Sequence, residues 1–282
     1  MTVSVDMMDR AMESELIPTA ASSLPAARRV LVFAPHADDE VFGCGGTLHL
    51  LAKAGAAITV IVATDGALGG LAGERETAAL IAAREAETRA AATMLGYPAP
   101  VFWRLPDRGL RYNEALLAKL LDAMQAAHAD LVFAPALSEL HPDHQALALA
   151  AAEALRRLGG ERRIAFYEVS APLLPNTLID ITACEEQKRA AMRCFRSQLA
   201  EQPYDQRIAA LNCYRGYSLG ADVRAAEAFF VTKAADLAPT QRAARLETEL
   251  AACHQELAAM RASRSWGTTA PLRWLRRLLR RA

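Results

Sequence analysis

"RRVLVFAPHADDEVFGCGG", residues 28–46, runs from two arginines through an unbroken apolar stretch into one histidine, three carboxylates and a glycine cluster. The apolar part shows no polar alternation, the pattern of a strand buried on both faces and hence of a parallel sheet covered by helices. At its end, His36, Asp38, Asp39 and Glu40 fill four of five consecutive positions. One carboxylate would satisfy a helix N-terminus, where it accepts free backbone N–H groups and suits the positive end of the dipole. Three carboxylates and an imidazole exceed that need and point to a functional site at the end of a buried strand.

Outward from this stretch, strand and helix patterns alternate. "AAITVIVAT" (56–64), "APVFWRLP" (99–106) and "DLVFAPAL" (130–137) read as further strands, and "RIAFYEVS" (163–170), "TLIDIT" (177–182) and "AEAFFVT" (226–232) as candidate strands. Helical segments fall at 47–55, 74–96, 113–129 and 144–160, three of them closed by glycine. The alternation predicts an α/β fold: a Rossmann-like, mostly parallel sheet with helices on both faces and right-handed crossovers, plus a C-terminal helical tail. The expected divisions are a flexible N-terminal arm over 1–27, the α/β domain over 28–238 and the tail over 239–282.

A chain of 282 residues, 52% hydrophobic and 23% charged, supports one substantial core with an appendage. Its formal net charge of zero gives no global electrostatic case for nucleic acid. Five cysteines without a CxxC pair fit neither a disulfide framework nor a zinc ribbon. The N-terminus lacks the pattern of a secretory signal and no apolar run reaches the length of a membrane span, so a cytoplasmic location is expected.

In open α/β sheets, ligands bind beyond the carboxyl ends of the strands. "LSELHPDH" (137–144) follows the fourth strand, which brings His141 and His144 to the same rim as His36. His36 and Asp39, at i and i+3, are expected one helical turn apart and facing one ion, with Asp38 between them turned aside as a base. With His144 they make three protein ligands and leave a position for water. Zinc is the expected ion, and iron(II) or another divalent ion suits the same donors. His141, three residues before His144, is placed to face a developing oxyanion, with Asp143 available to orient an imidazole. The set reads as a hydrolase for an amide or ester. Glu40 reads as a supporting or capping carboxylate, Cys44 as a packed thiol, and Tyr214 and Tyr217 as core or rim aromatics. "GCGG" is not a dinucleotide motif, because Leu48 stands where the third glycine belongs.

"PHADDEVFGCGG" and "HPDH" resemble the paired motifs of the PIG-L / LmbE-like N-acetylglucosaminyl deacetylase family, with Ala37 where that family usually has proline. The resemblance extends over about residues 29–232. It implies a metal-dependent hydrolase that removes the acetyl group from an N-acetylamino sugar. It matches His36, Asp39 and His144 to zinc ligands, Asp38 to the general base, and His141 to the histidine that stabilises the tetrahedral intermediate. It also matches Arg84 and Asp107 to positions that contact sugar hydroxyls. The residues alone allow Arg84 to be solvated or ion-paired, and Asp107 to be a turn residue after Pro106.

In the tail, Leu246, Leu250, Cys253, Leu257 and Met260 recur at coiled-coil spacing. Residues 261–282 contain seven arginines and no acid, and from Pro271 a helix would place Leu272, Leu275, Leu278 and Leu279 on one side. That composition suits peripheral contact with an anionic membrane at its cytoplasmic face, with a merely solvated helix as the alternative; no recognisable nucleic-acid module is present. "SRSWGTTAPLR" resembles endings of bacterial surface-polysaccharide glycosyltransferases, which implies a lipid- or nucleotide-linked glycan intermediate as substrate. The competing functions are a catalytically weak peripheral membrane component of a polysaccharide-assembly complex, and a deacetylase of a small sugar conjugate in thiol or antibiotic biosynthesis. A homo-oligomer is compatible with the sequence.

Overall fold

The computed structural model describes residues 17–69 and 74–237, together with 254–255, 258–260 and 262. The chain divides into two units, Met1–Leu237 and Ala238–Ala282. In the first, the strands are β1 (Arg29–Ala34), β2 (Ala57–Thr64), β3 (Val101–Leu105), β4 (Leu131–Pro135), β5 (Arg163–Tyr167), β6 (Thr177–Asp180) and β7 (Ala226–Lys233). The helices are α1 (Asp39–Lys53), α2 (Glu74–Leu95), α3 (Glu114–Ala126), α4 (Pro142–Leu158), α5 (Glu185–Met192), α6 (Arg196–Leu199) and α7 (Tyr204–Arg215).

The seven strands form one sheet in the order β3-β2-β1-β4-β5-β7-β6. Strands β1 to β5 pair in parallel, and β7 runs antiparallel to both β5 and β6. The mostly parallel α/β reading is therefore correct. Successive residues of β1 feed the two faces: Val30 and Val32 join one core with Leu48, Leu95 and Met192, whereas Leu31 and Phe33 join the other with Leu117, Leu120 and Leu147. This is why β1 is apolar at every position. The chain winds outward from β1 to β2 and β3, then crosses back to place β4 on the other side of β1. The β1/β4 boundary is thus the topological switch point, where loops diverge and leave a crevice.

Two features differ from the sequence reading. Helix α1 starts at Asp39, eight residues before the expected helix at 47, and runs through the glycine cluster with non-helical dihedrals at Cys44 (φ −141°, ψ 15°). Between β6 and β7 the chain forms α5, α6 and α7, none of which the apolar pattern marked. Within residues 17–27, Ser22 N–H donates to Leu178 O at 2.7 Å, alongside the edge strand β6, and the Ser218 hydroxyl donates to Pro18 O at 2.8 Å. Arg163 donates to Ala26 O at 2.6 Å.

Of the tail's seam, only Met260 falls among the described residues, in a helical stretch exposed to solvent. Leu246, Leu250, Cys253, Leu257 and the arginine-rich helix expected after Pro271 lie outside them.

Candidate metal centre

The first motif begins where β1 ends. Pro35 to Asp38 form a tight turn and Asp39 opens α1, so His36 precedes the helix rather than standing one turn along it. The turn closes on itself because the Asp39 carboxylate accepts the His36 backbone N–H at 2.9 Å. That bond sets Asp39 Oδ2 beside His36 Nδ1, 3.2 Å away. Asp38 takes φ 132°, in the region that favours glycine, and its carbonyl accepts the N–H groups of Val41 and Phe42.

The second motif begins where the neighbouring β4 ends. His141 caps α4: its Nδ1 accepts the Asp143 N–H at 3.2 Å, and Pro142 occupies the first helical position, where a missing N–H costs nothing. His144 follows in the first turn, buried. Behind it Glu139 accepts the N–H groups of Val169 (2.6 Å) and Ser170 (3.1 Å) and the Ser170 hydroxyl, and brings Oε2 to 3.3 Å from His144 Nδ1. A carboxylate so held fixes the ring and leaves Nε2 facing the crevice.

The two loops meet in a triangle of donors. His36 Nδ1 to Asp39 Oδ2 is 3.2 Å, His144 Nε2 to Asp39 Oδ2 is 3.2 Å, and His144 Nε2 to His36 Nδ1 is 3.3 Å. Bonds of about 2.0 to 2.1 Å at tetrahedral angles set donors about 3.3 to 3.4 Å apart, so two imidazoles and one carboxylate at these separations fit a small divalent cation. His141 also offers a nitrogen to a looser set with His36 and His144, all within 4.8 Å.

Around the triangle the charges alternate. His36 Nε2 lies 3.4 Å from Asp107 Oδ1 and 3.4 Å from Asp143 Oδ2. Asp143, expected to orient an imidazole, stands beside that of His36, while its oxygens accept the backbone N–H groups of Arg108 at 2.7 Å and Leu110 at 3.0 Å. Asp107 accepts Leu68 N–H at 2.9 Å. Burial depresses the His36 pKa, but hydrogen bonding to Asp107, Asp143 and Asp39 outweighs it and raises the pKa well above the usual imidazole value. For His144 burial is again outweighed, by the charge and hydrogen bond of Asp39 and then by Glu139, and the pKa rises to about 9. Asp39 is held far below the carboxylate range, because the two histidines overcome its burial. A divalent ion competes with these protons for the same atoms.

Asp38 sits outside the triangle. Burial raises its pKa to about 7, with Asp39 adding to the rise and the nearby Arg84 opposing it. Arg84 is only 3% exposed, not solvated: it donates to Ala37 O at 3.0 Å and Gly66 O at 3.1 Å, and lies 3.4 Å from Asp38 Oδ2. Gly66, at φ +63°, belongs to the loop after β2 that wraps this guanidinium; a Cβ there would stand 2.7 Å from Arg84 Nη1. Glu40 is fully buried and its pKa is pushed to about 8, chiefly by burial and then by Asp38 and Asp39. Tyr214 and Tyr217 are surface residues, 62% and 88% exposed.

Above these groups opens a cavity of about 280 Å³. Its walls include all the predicted site residues except Asp143, which is fully buried behind His36, and add Phe42, Arg108, Ser170, Gln198 and Tyr204. Gln198 and Tyr204 come from the unforeseen α6 and α7, and no motif marked them. Glu139 lies inside the quoted "LSELHPDH", where a carboxylate five residues before His144 was its only trace.

Residues 31–155, which carry both motifs, match the model of the PIG-L family, described as GlcNAc-PI de-N-acetylase. The conserved protein TT1542 from Thermus thermophilus is 30% identical, with a TM-score of 0.63 over 72% of this chain and 93% of that one. The chain belongs to the PIG-L family. The N,N'-diacetylchitobiose deacetylase of Pyrococcus horikoshii is similar to this PIG-L protein at 26% identity, with a TM-score of 0.67 over 83% of this chain and 96% of that one. The chain is also similar to a 4-oxalmesaconate hydratase of Pseudomonas putida, 27% identical over 203 residues, 64% of this chain and 78% of that protein.

Proposed function

We propose that this PIG-L protein is a metal-dependent N-deacetylase of an N-acetylamino sugar, with His36, Asp39 and His144 holding the ion and zinc as the ion of choice, iron(II) suiting the same donors. The observation that carries this is the triangle of 3.2, 3.2 and 3.3 Å, beside which a further carboxylate, Asp38, stays out of the donor set. A binding site alone has no use for that carboxylate. The ion supplies Lewis acidity toward the amide carbonyl and acidifies water.

The protein's own groups do the rest. Asp38, outside the donor set and held by Arg84, takes the proton of the attacking water and returns it to the leaving amine. Water plus the N-acetyl sugar then give acetate and the free amino sugar. Arg84 holds the Asp38 carboxylate from behind while also walling the cavity. Since His141 Nδ1 accepts a backbone N–H, its neutral ring carries the proton on Nε2. The Nε2–H is then available to the developing oxyanion. Asp143 and Asp107 brace His36, and Asp107, with Arg84, is placed to meet sugar hydroxyls.

Relatives named as sugar deacetylases support the substrate class. The test is acetate release from a panel of N-acetylamino sugars, run beside hydration of 4-oxalmesaconate followed by ultraviolet absorbance. Acetate release supports the reading; hydration without acetate release replaces it with the hydratase. His144→Ala is expected to lose stoichiometric metal, and full retention would reassign the ligands. The arginine- and leucine-rich sequence of 261–282 supports peripheral binding to an anionic membrane as a second property of the chain. Among the described residues, no helix is long and apolar enough to cross a membrane.

A further inference from the structure

The cavity has a second wall that the two motifs do not build. Gln198, in α6, is 7% exposed and borders the cavity, and its Nε2 is buried with no acceptor among the described residues. An amide N–H removed from water without a partner is costly, so such a group at a cavity wall is suited to meet a ligand. Its surroundings hold it in place. The next residue back, Ser197, is pinned to α2 through its N–H (2.9 Å) and hydroxyl (2.6 Å) on Glu87. Phe195, three residues back, packs edge-on against Phe42 of α1 at 5.6 Å between ring centroids. The short helix is therefore clamped between α1 and α2, with its carboxamide at the cavity.

Tyr204, at the start of α7, adds a half-buried aromatic ring to the same wall, 6.2 Å from Phe42 and tilted by 35°. The chemistry of this wall is uncharged: a carboxamide, a phenol and a phenyl ring. Fixed amides and aromatic faces suit a ligand with an apolar C–H face and neutral oxygen acceptors, and nothing on this wall matches a phosphate or a carboxylate.

We propose that Gln198 and Tyr204 form a recognition wall for a neutral sugar ring of the substrate. In it, Gln198 Nε2–H donates to a sugar hydroxyl oxygen, and the Tyr204 ring lies along the C–H face. This rests on the deacetylase reading above and adds which part of the substrate is read and by what. Gln198 sets affinity and selectivity and takes no part in bond breaking.

The test uses the full chain loaded with one equivalent of metal, as wild type, Gln198→Leu and Gln198→Ala, on the best N-acetylamino sugar of the panel and on its monodeoxy analogues. Gln198→Leu keeps the bulk and removes the donor. The expected result is a KM raised about tenfold or more with kcat within about threefold, at unchanged metal content, since a lost ground-state contact acts on KM. One monodeoxy analogue should also bind wild type less well than the parent sugar does, whereas the two variants, lacking the donor, should bind parent and analogue equally. A KM unchanged in both variants overturns the proposal, as does a loss confined to kcat or a fall in thermal stability with kinetics intact. If wild type turns over the acetylated sugar and the variants match it, this wall alone is misread. If wild type releases acetate from no sugar, the deacetylase reading fails and the wall's assignment with it.

Discussion

At Asp38 the backbone takes φ 132° and ψ −32°, a conformation that L-residues seldom adopt and that costs on the order of 1 to 3 kcal/mol. The surrounding bonds hold it there: its carbonyl accepts two N–H groups of α1 and its carboxylate faces Arg84. Glycine enters this region without penalty, so Asp38→Gly should be more stable than Asp38→Ala by about 1 to 3 kcal/mol in denaturant unfolding. Equal stabilities would show that the turn is relaxed. Asp38→Asn should retain metal and lose about 10² to 10⁴ in kcat, and near-normal turnover would place the base elsewhere. His36, Asp39 and His144 were legible in the sequence because short spacing and the strand ends deliver them to one place. Arg84 entered only through the family resemblance, and its packing behind Asp38, like the role of Glu139, was not legible, because both depend on partners far along the chain: Ala37 and Gly66 for one, Val169 and Ser170 for the other.

Helix α1 is interrupted at Cys44, and a buried ion pair fills the gap. Phe42 O, which a regular helix would bond to Gly46 N–H, instead accepts from Lys188 Nζ at 2.9 Å. Gly46 N–H (2.8 Å) and Thr47 N–H (2.7 Å) donate to the carboxylate of Glu227, which lies 2.7 Å from Lys188 Nζ. Asn212 accepts a further bond from Lys188 at 2.9 Å. The pair thus satisfies both ends of a break lying one turn beyond Asp39. Removing one partner leaves a buried charge and exposed helix bonds, so Lys188→Met or Glu227→Gln should cost about 3 to 5 kcal/mol in chemical denaturation. Losses below about 1 kcal/mol would show the break to be self-sufficient. The glycines of this stretch hid the helix from the sequence, since they usually end helices. Here close packing requires them: a Cβ on Gly46 would stand 2.8 Å from Ile181 Cγ2, and one on Gly43 would collide with the Tyr167 ring. Helix α7 was hidden differently, for Ile208 is the one apolar residue it fully buries, beside the polar Asn212 and Arg215.

For the whole molecule, strand order decides where chemistry can occur. With β1 and β4 adjacent and parallel, and the order of strand addition reversing between them, the loops after both strands open onto one crevice. The parallel core was readable because strands buried on both faces are apolar throughout, whereas the antiparallel β7, set between β5 and β6, follows from pairings that local pattern does not encode. The tail makes a separate prediction. Removing residues 261–282 should abolish cosedimentation with anionic liposomes at low salt, each arginine contributing about 1 kcal/mol there, and should leave acetate release from a soluble sugar unchanged. Equal sedimentation of both proteins would refute the anchor. The central claim is tested most directly by measuring acetate release from N-acetylamino sugars by one preparation of the full chain, first loaded with one equivalent of zinc, then chelated, then reloaded. The account predicts release that disappears with the metal and returns with it; release that persists through chelation, or none in the loaded protein, would contradict it.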